Sequence, residues 1–371
     1  MLDELLSPTP PEYRVDWESL QAFEWVRALE ACPQDPIHHA EGNVWIHTRM
    51  VLETLAEMAA WRALPPGDQH AVYLACLLHD VAKPATTRIE EDGRVTAKGH
   101  SRRGEVLARR LLWELGVPFA TRELVCGLIR YHQLPFYLIE RPDAQRLTAE
   151  ISLVARCNLL GIVAEADIRG RLCSDLPRIL DNIALYREFC AEEGCLAKPR
   201  AFASAHTRVQ YFRADGRHPD VEVWDDTRSD VVVMSGLPGS GKDTYIRENF
   251  PEWPIVSLDG LREELDVDPT DNQGPIVQLA RERAREHLRR GERFVWNATN
   301  ICKRFRGPVL SLMADYHARM HVIYVESPAV RLFSQNRNRP AMVPEKAIRG
   351  MLERWEIPDL TEAHEVTYIA E

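Results

Sequence analysis

The sequence lacks the features that mark export, membrane insertion and disulfide scaffolds. It opens MLDELLSPTPPEY, with neither a basic n-region nor an apolar h-region, and no uncharged apolar run is long enough to cross a bilayer. The expectation is a soluble, unexported, cytoplasmic protein with no membrane partner. Its 8 cysteines are scattered without a C-x-x-C pair, Cys190 and Cys195 being the closest two. That usage fits reduced thiols better than a disulfide framework. Positive charge is not in excess either. A net charge of −10 argues against general coating of nucleic acid, which needs bulk attraction to phosphate, but leaves room for a local basic cleft. No internal repeat or low-complexity tract stands out. What remains is a chain of 371 residues with ordinary globular composition, long enough for two domains with separate cores.

The two halves differ in periodicity. Over residues 1–200, apolar residues recur at three- and four-residue spacing and predict helices at Trp17–Leu29, Val44–Trp61, Gln69–Lys83, Ser101–Leu115, Ala120–Tyr131, Ala149–Leu160 and Leu176–Cys190. Prolines punctuate them, and VTA near Val95 is the one place for a small hairpin. Residues 201–229 mix aromatic, charged and turn residues and read as a connector. Residues 230–371 alternate helical segments with the short apolar runs VVVM, Pro254–Asp259, Phe294–Asn300 and His321–Glu326, and VTYIA could add an edge strand. That alternation predicts a parallel α/β sheet. The fold class is therefore multidomain, all-α followed by α/β.

In the second half, VVVMSGLPGSGKDT (Val231–Thr244) runs from a buried strand through Gly236, Gly239, Ser240 and Gly241 into Lys242 and a helical segment. In that context the glycines let backbone N–H groups close around phosphate oxygens. The helix N-terminus adds partial positive charge, and the lysine reaches the β- and γ-phosphates. A nucleoside triphosphate site is expected. Asp243 stands where Ser or Thr usually offers a hydroxyl to Mg²⁺; a carboxylate beside phosphates needs a cation between, so Asp243 is expected to hold magnesium, with Thr244 as the substitute. Asn297 and Asn300 close the third apolar run, where an acidic magnesium ligand is often found.

In the first half, His79-Asp80 closes the apolar helix AVYLACLLHDVAKP. Such a pair at the end of a buried helix is costly unless something neutralises and coordinates it, and a divalent metal does both. Further candidates are His47 in HAEGNVWIHT, His100 in KGHSRRGE, His132 in IRYHQLP and Asp167 in AEADIRGR. Unrelated surface histidines are the plainer alternative for any one of them. His38 and His39 read as solvated or structural.

The order H…HD…H…H…D resembles the HD phosphohydrolase superfamily, and HAEGNVWIHT, LLHDVAKP and ADIRGR are similar to the HD domain appended to bacterial tRNA nucleotidyltransferases. One departure is Asn43, where that group usually has Asp. The resemblance implies one transition metal on His47, His79, Asp80 and Asp167, with His100 and His132 fitting a second metal or a phosphate. Two cations about 3.5–4 Å apart would clamp a scissile phosphate and supply hydroxide at neutral pH. Imidazole-rich ligation suits Ni, Co, Mn, Zn or Fe. Lys83, one helical turn after His79, and Arg171, four residues past Asp167, are placed to neutralise phosphate oxygens.

In the second half, Asp259 ends the second apolar run and Arg262 follows a turn later. A carboxylate beyond a parallel strand, near the phosphate loop, is placed to take a proton from an attacking hydroxyl, with Arg262 holding an acceptor phosphate. A helix N-cap is the alternative for Asp259. Arg331, Arg337 and Arg339 in RLFSQNRNRP would form a lid over the γ-phosphate or a plain charged helix face. Together GLPGSGKDT, D-x-x-R, NATN, NRNRPAMVPE and ERWEIP resemble the 5′-hydroxyl polynucleotide kinase family. The resemblance implies Asp259 as general base, Arg262 on the phosphate beside the 5′ nucleotide, Lys242 on the triphosphate and Arg337 and Arg339 in the lid, with ATP or another NTP and Mg²⁺.

The whole resembles bifunctional bacterial HD–polynucleotide kinase end-healing enzymes, with an HD domain at 1–200, a connector at 201–229 and a kinase domain at 230–371. The implied activity adds a phosphate to an RNA or DNA 5′-OH and removes a 2′ or 3′ phosphate or opens a cyclic one, readying ends for handover to a ligase. Arg289, Arg290, Arg293, Lys303, Arg304 and Arg306 would guide the strand or form a solvated helix face. A small-molecule kinase fused to a nucleotide phosphohydrolase, and a nucleotide-sensing module, are the competing readings.

Overall fold

The structure, a computed structural model, describes residue 5, residues 7–338 and residues 342–370. Arg339, expected in the lid, lies outside the described residues. The chain divides into two compact units, Met1–Ala201 and Phe202–Glu371.

The first unit is helical, built around Pro66–Leu78. Proline at the start of this helix costs no hydrogen bond, and Ala71 to Leu78 are all buried, so the helix is apolar all round and central. Val44–Glu57 packs beside it through Val44, Val51, Leu52 and Leu55. Asn43 caps that helix by accepting from Ile46 N at 2.9 Å, a role Asn and Asp fill equally well. His100–Glu114, Phe119–Tyr131, Cys157–Arg169 and Leu176–Glu192 complete the shell around the site. The small hairpin expected at Val95 is present: β1 (Arg88–Ile89) pairs antiparallel with β2 (Val95–Thr96).

Four expected helices are broken, among them Gln69–Lys83, which stops at Leu78 and resumes as Lys83–Thr86. Trp17–Leu29 is two helices, Trp17–Gln21 and Glu24–Glu30, separated by extended Phe23. Val44–Trp61 stops at Glu57, because Met58 is extended, and resumes as Ala59–Arg62. Ala149–Leu160 spans a corner of 101° between Ala144–Val154 and Cys157–Arg169. Ala155 is extended there, and the corner lies against Gly127, where a Cβ would come within 2.7 Å of the Val154 carbonyl oxygen. Periodicity ran through these breaks because burial continues across them. Among the described residues no single helix is long and apolar enough to cross a membrane.

The second unit is a five-stranded, all-parallel sheet of β3 (Ser229–Ser235), β4 (Ile255–Ser257), β5 (Phe294–Asn297), β6 (Ala318–Val325) and β7 (Glu365–Ile369), in the order β4-β5-β3-β6-β7. Alternation sends Val231, Val233, Phe294, Trp296, Met320 and Val322 to one core, against Ile276, Ala280, Leu288, Leu310 and Met313. Val232, Met234, Val295, Ile323 and Val325 face the other core, against Ile246. The stretch expected as a connector belongs to this unit. It holds a helix, Ala205–Arg213, whose Arg208 donates to the carbonyls of Leu360 at 2.9 Å, Ala363 at 3.2 Å and His364 at 2.6 Å.

Candidate functional site

In the first unit six expected residues come together, all buried. His47 lies on Val44–Glu57, His79 just past the end of Pro66–Leu78, and His132 just past Phe119–Tyr131. His100 opens His100–Glu114, and Asp167 lies on Cys157–Arg169. Each imidazole is oriented by the backbone. Nδ1 of His79, His100 and His132 lies 2.7, 2.8 and 2.8 Å from the carbonyl three residues earlier, and His47 Nδ1 lies 3.1 Å from Gly170 O. A neutral imidazole donating there carries its lone pair on Nε2.

Those Nε2 atoms face one another. His47 and His79 are 3.2 Å apart, and His100 and His132 are 3.4 Å apart. His47 Nε2 lies 3.1 Å from Asp167 Oδ1, and Asp80 reaches both pairs, with Oδ2 3.1 Å from His79 Nε2 and Oδ1 3.4 Å from His100 Nε2. One ligand atom from each of His47, His79 and Asp167 falls within a 4.8 Å group, and so does one from each of Asp80, His100 and His132. Asp80 thus stands between two groups. Opposed lone pairs and an Asp80 Oδ1 with no hydrogen bond among the described residues fit bound cations.

The electrostatics agree. Burial opposes a charge on His79, but the Asp80 and Asp167 carboxylates raise its pKa above the ordinary value. Burial likewise opposes ionised Asp80 and Asp167, yet His79 with Lys83, and Arg171 with the histidines, hold them well below the usual carboxylate range. Burial pushes His132 down to about 3, and lowers His100. Both shifts favour the neutral imidazole that ligation requires.

Lys83 and Arg171 are less free than expected. The chain leaves the helix at His79, and Lys83 starts a separate helix, Lys83–Thr86. Its Nζ lies 2.7 Å from Asp80 Oδ2 and donates to Gln34 Oε1 at 2.6 Å. Arg171 spends its fork on Asp167, at 2.9 and 2.6 Å. Both also line a cavity of about 210 Å³ with Gln34, His38, His39 and His100. His39, expected to be solvated or structural, is buried with its ring centroid 4.7 Å from that of His47, and burial lowers its pKa to about 4. Glu41, absent from the expected set, contacts His39 Nδ1 at 2.8 Å and His47 Nδ1 at 3.1 Å, and accepts from Leu172 N at 3.0 Å. Burial works against its carboxylate, but those partners hold it below the usual range. HAEG, a few residues before His47, is the sequence signal for it.

In the second unit, β3 delivers the glycine loop to the start of Lys242–Asn249. Gly236 has φ +149°, and a Cβ there would meet Val325 O at 2.3 Å, so only glycine fits. Gly239 and Gly241 also have positive φ. Lys242 Nζ is buried in the loop and donates to Gly236 O and Leu237 O, each at 2.9 Å. The Ser240 hydroxyl is buried without a hydrogen-bond partner among the described residues. Asp243 accepts from Asn297 Nδ2 at 2.8 Å beside a cavity of about 260 Å³, and Thr244 Oγ1 accepts from Arg247 at 3.4 Å. Asn300 turns inward instead, donating to Met234 O at 2.8 Å.

Asp259 does not end a strand. β4 stops at Ser257, which caps Leu258–Leu265 by accepting from Gly260 N, so Asp259 sits in the first helical turn with its side chain 75% exposed. The capping role considered for Asp259 falls to Ser257. Asp259 is ion-paired with Arg262, which also donates to Gln273 Oε1 at 2.6 Å. Arg337 is exposed at the end of Ala329–Arg337. On that helix Gln335, with its amide oriented to satisfy both neighbours, donates to Gly239 O at 2.8 Å and accepts from Arg331 Nε at 3.1 Å. Of the basic stretch, Arg306 is buried on Glu362, Lys303 pairs with Asp359 at 2.8 Å, and Arg293 lies over the Trp253 ring. These three are structural.

Comparison with known proteins places these sites in context. Residues 44–168 match the HD domain family, and residues 231–358 match an AAA domain family. The chain is 30% identical over 193 residues to a multifunctional CCA protein of Ralstonia nicotianae, covering 48% of this chain and 42% of that protein. It is 36% identical over 115 residues to a bifunctional uridylyltransferase/uridylyl-removing enzyme of Nitrobacter winogradskyi, covering 29% and 11%. The chain thus spans less than half the length of the curated relatives it matches. A gluconokinase from Sinorhizobium meliloti 1021 aligns with 39% of this chain and 83% of its own, at 17% identity and a TM-score of 0.29. The chain joins an N-terminal helical unit that carries an HD domain to a C-terminal unit that matches an AAA domain family and sets a glycine-rich phosphate loop on a five-stranded parallel sheet.

Proposed function

We propose that this protein heals nucleic-acid ends, phosphorylating a 5′-OH in the second unit and removing a 2′ or 3′ phosphate, or opening a cyclic one, in the first. The observation that supports the reading is one chain holding, in separate units, buried histidine–carboxylate groups and a glycine loop closed on a buried lysine. A relative named for CCA is in keeping with a nucleic-acid substrate.

In the first unit His47, His79 and Asp167 would hold one divalent cation and Asp80, His100 and His132 a second. When bound, the cations supply Lewis acidity toward a phosphoryl oxygen and acidify water. Lys83 and Arg171 keep Asp80 and Asp167 ionised and give the adjoining cavity positive charge for a terminal phosphate. In the second unit the loop amides and Lys242 would hold the triphosphate, with Asp243, steadied by Asn297, beside the magnesium. Asp259 takes the proton of the attacking 5′-OH, while Arg262 holds Asp259 in place and meets the neighbouring phosphate. Arg337 would close over the transferring group.

The test uses RNA bearing a 5′-OH and a 2′,3′-cyclic phosphate, with ATP and a panel of divalent metals, both ends being resolved. Asp259→Ala should abolish 5′ phosphorylation and spare the other end; His79→Ala should do the reverse. Loss of both activities in a folded single variant refutes two independent sites. Transfer to free nucleosides in preference to oligonucleotides would favour a small-molecule kinase.

A further inference from the structure

Three cysteines from two stretches of the chain meet in the first unit. Cys157 is the first residue of Cys157–Arg169, Cys190 lies near the end of Leu176–Glu192, and Cys195 follows that helix. Gly194, at φ +67°, turns the chain back so that Cys195 N donates to Cys190 O at 2.8 Å. The next carbonyl, of Leu196, accepts from Asn158 N at 2.7 Å, which draws Cys195 to the N-terminus bearing Cys157. The three sulfurs lie within 4.8 Å of one another, and all three residues are fully buried.

We propose that Cys157, Cys190 and Cys195 form a three-sulfur site for a divalent thiophilic cation of the zinc class, separate from the histidine–carboxylate centre. A set of sulfurs alone selects soft cations over the hard ones carboxylates prefer. Zinc–sulfur bonds of about 2.3 Å hold tetrahedral ligands about 3.8 Å apart, so the sulfurs need to close by about 1 Å or less. The N-terminus of Cys157–Arg169 favours a thiolate at Cys157. Loading converts three thiols and one M²⁺ into an M(S-Cys)₃ unit of charge −1 and releases three protons. The site would staple the helix carrying Asp167 to the helix that follows it.

The experiment titrates the full-length, reduced, metal-stripped protein with Cd²⁺ alone. One equivalent should raise a thiolate-to-cadmium charge-transfer band and release about three protons. His79→Ala should keep the band, since histidine and carboxylate ligands give none. Cys157→Ser and Cys195→Ala should lose it, or weaken binding by about tenfold or more. Should a variant fail to fold, the wild-type band and proton count decide alone. Cadmium uptake without a thiolate band, a band unchanged in both variants, or a disulfide between two of these cysteines in the isolated protein would overturn the proposal.

Discussion

Arg306→Met probes how the second unit holds its phosphate loop. Arg306 is fully buried. Its Nε and Nη2 each donate to Glu362 at 2.9 Å, and Nη1 donates to Asn300 O and Glu356 O, both at 2.8 Å. Asn300 O also accepts from Ser235 Oγ at 3.0 Å, and Thr299 O accepts from Gly236 N at 2.8 Å, so the arginine braces the segment against which the loop begins. Methionine fills most of the volume but leaves Glu362, 10% exposed, without its charged partner. Breaking one side of a buried pair costs about 3–5 kcal/mol. For a unit of this size that lowers the melting temperature by roughly 6–20 °C. Arg306→Lys keeps the charge but not the fork, and should fall between. Urea denaturation gives the free energy, and hydrogen exchange in β3 and β5 localises it. A loss under about 1 kcal/mol, or no recovery on adding Glu362→Gln, would refute the brace.

Two further outcomes follow from buried histidines. Glu41→Gln leaves the proposed ligands in place but removes the carboxylate that shares His47 Nδ1 with Gly170 O, and should weaken divalent-metal binding in the first unit by about 10–100-fold, as calorimetry would show. His364 is lowered to about 4 by burial first, then by His206 and Arg319; its Nδ1 accepts from Met320 N and its Nε2 lies 3.1 Å from His206 Nδ1. Because its folded pKa is depressed, its stabilising contribution is complete above about pH 6.5, the unfolded value, and is lost as pH falls toward about 4. Denaturation of the second unit between those limits should show stability declining, with a shallower slope in His364→Gln.

Local patterns were legible wherever one segment carried its own physics. Val231–Thr244 announces a buried strand, a turn only glycine can make and a helix start, and it folds that way. Pro66–Leu78 and Phe119–Tyr131 show their buried faces in sequence, and each ends at a histidine whose Nδ1 finds the carbonyl three residues back. The breaks at Phe23, Met58 and Ala155 were not legible, because apolar spacing reports burial and burial continues around a corner.

Partnerships between segments were the other blind spot. Nothing local to Arg306 says that it will be buried on Glu362, so a basic stretch reads as a solvated or strand-guiding face. Nothing local to Lys83 or Arg171 says that their charges will be held by Asp80 and Asp167. Glu41, Gln335 and the meeting of Cys157 with Cys190 and Cys195 belong to the same class. Which residues could carry the chemistry, and which half of the chain holds each kind, can be read from composition and periodicity, because these are properties of single segments. Only tertiary packing decided which of those groups touch, which charges are cancelled and which lone pairs are left opposed, because those depend on where distant helices and strands come to rest.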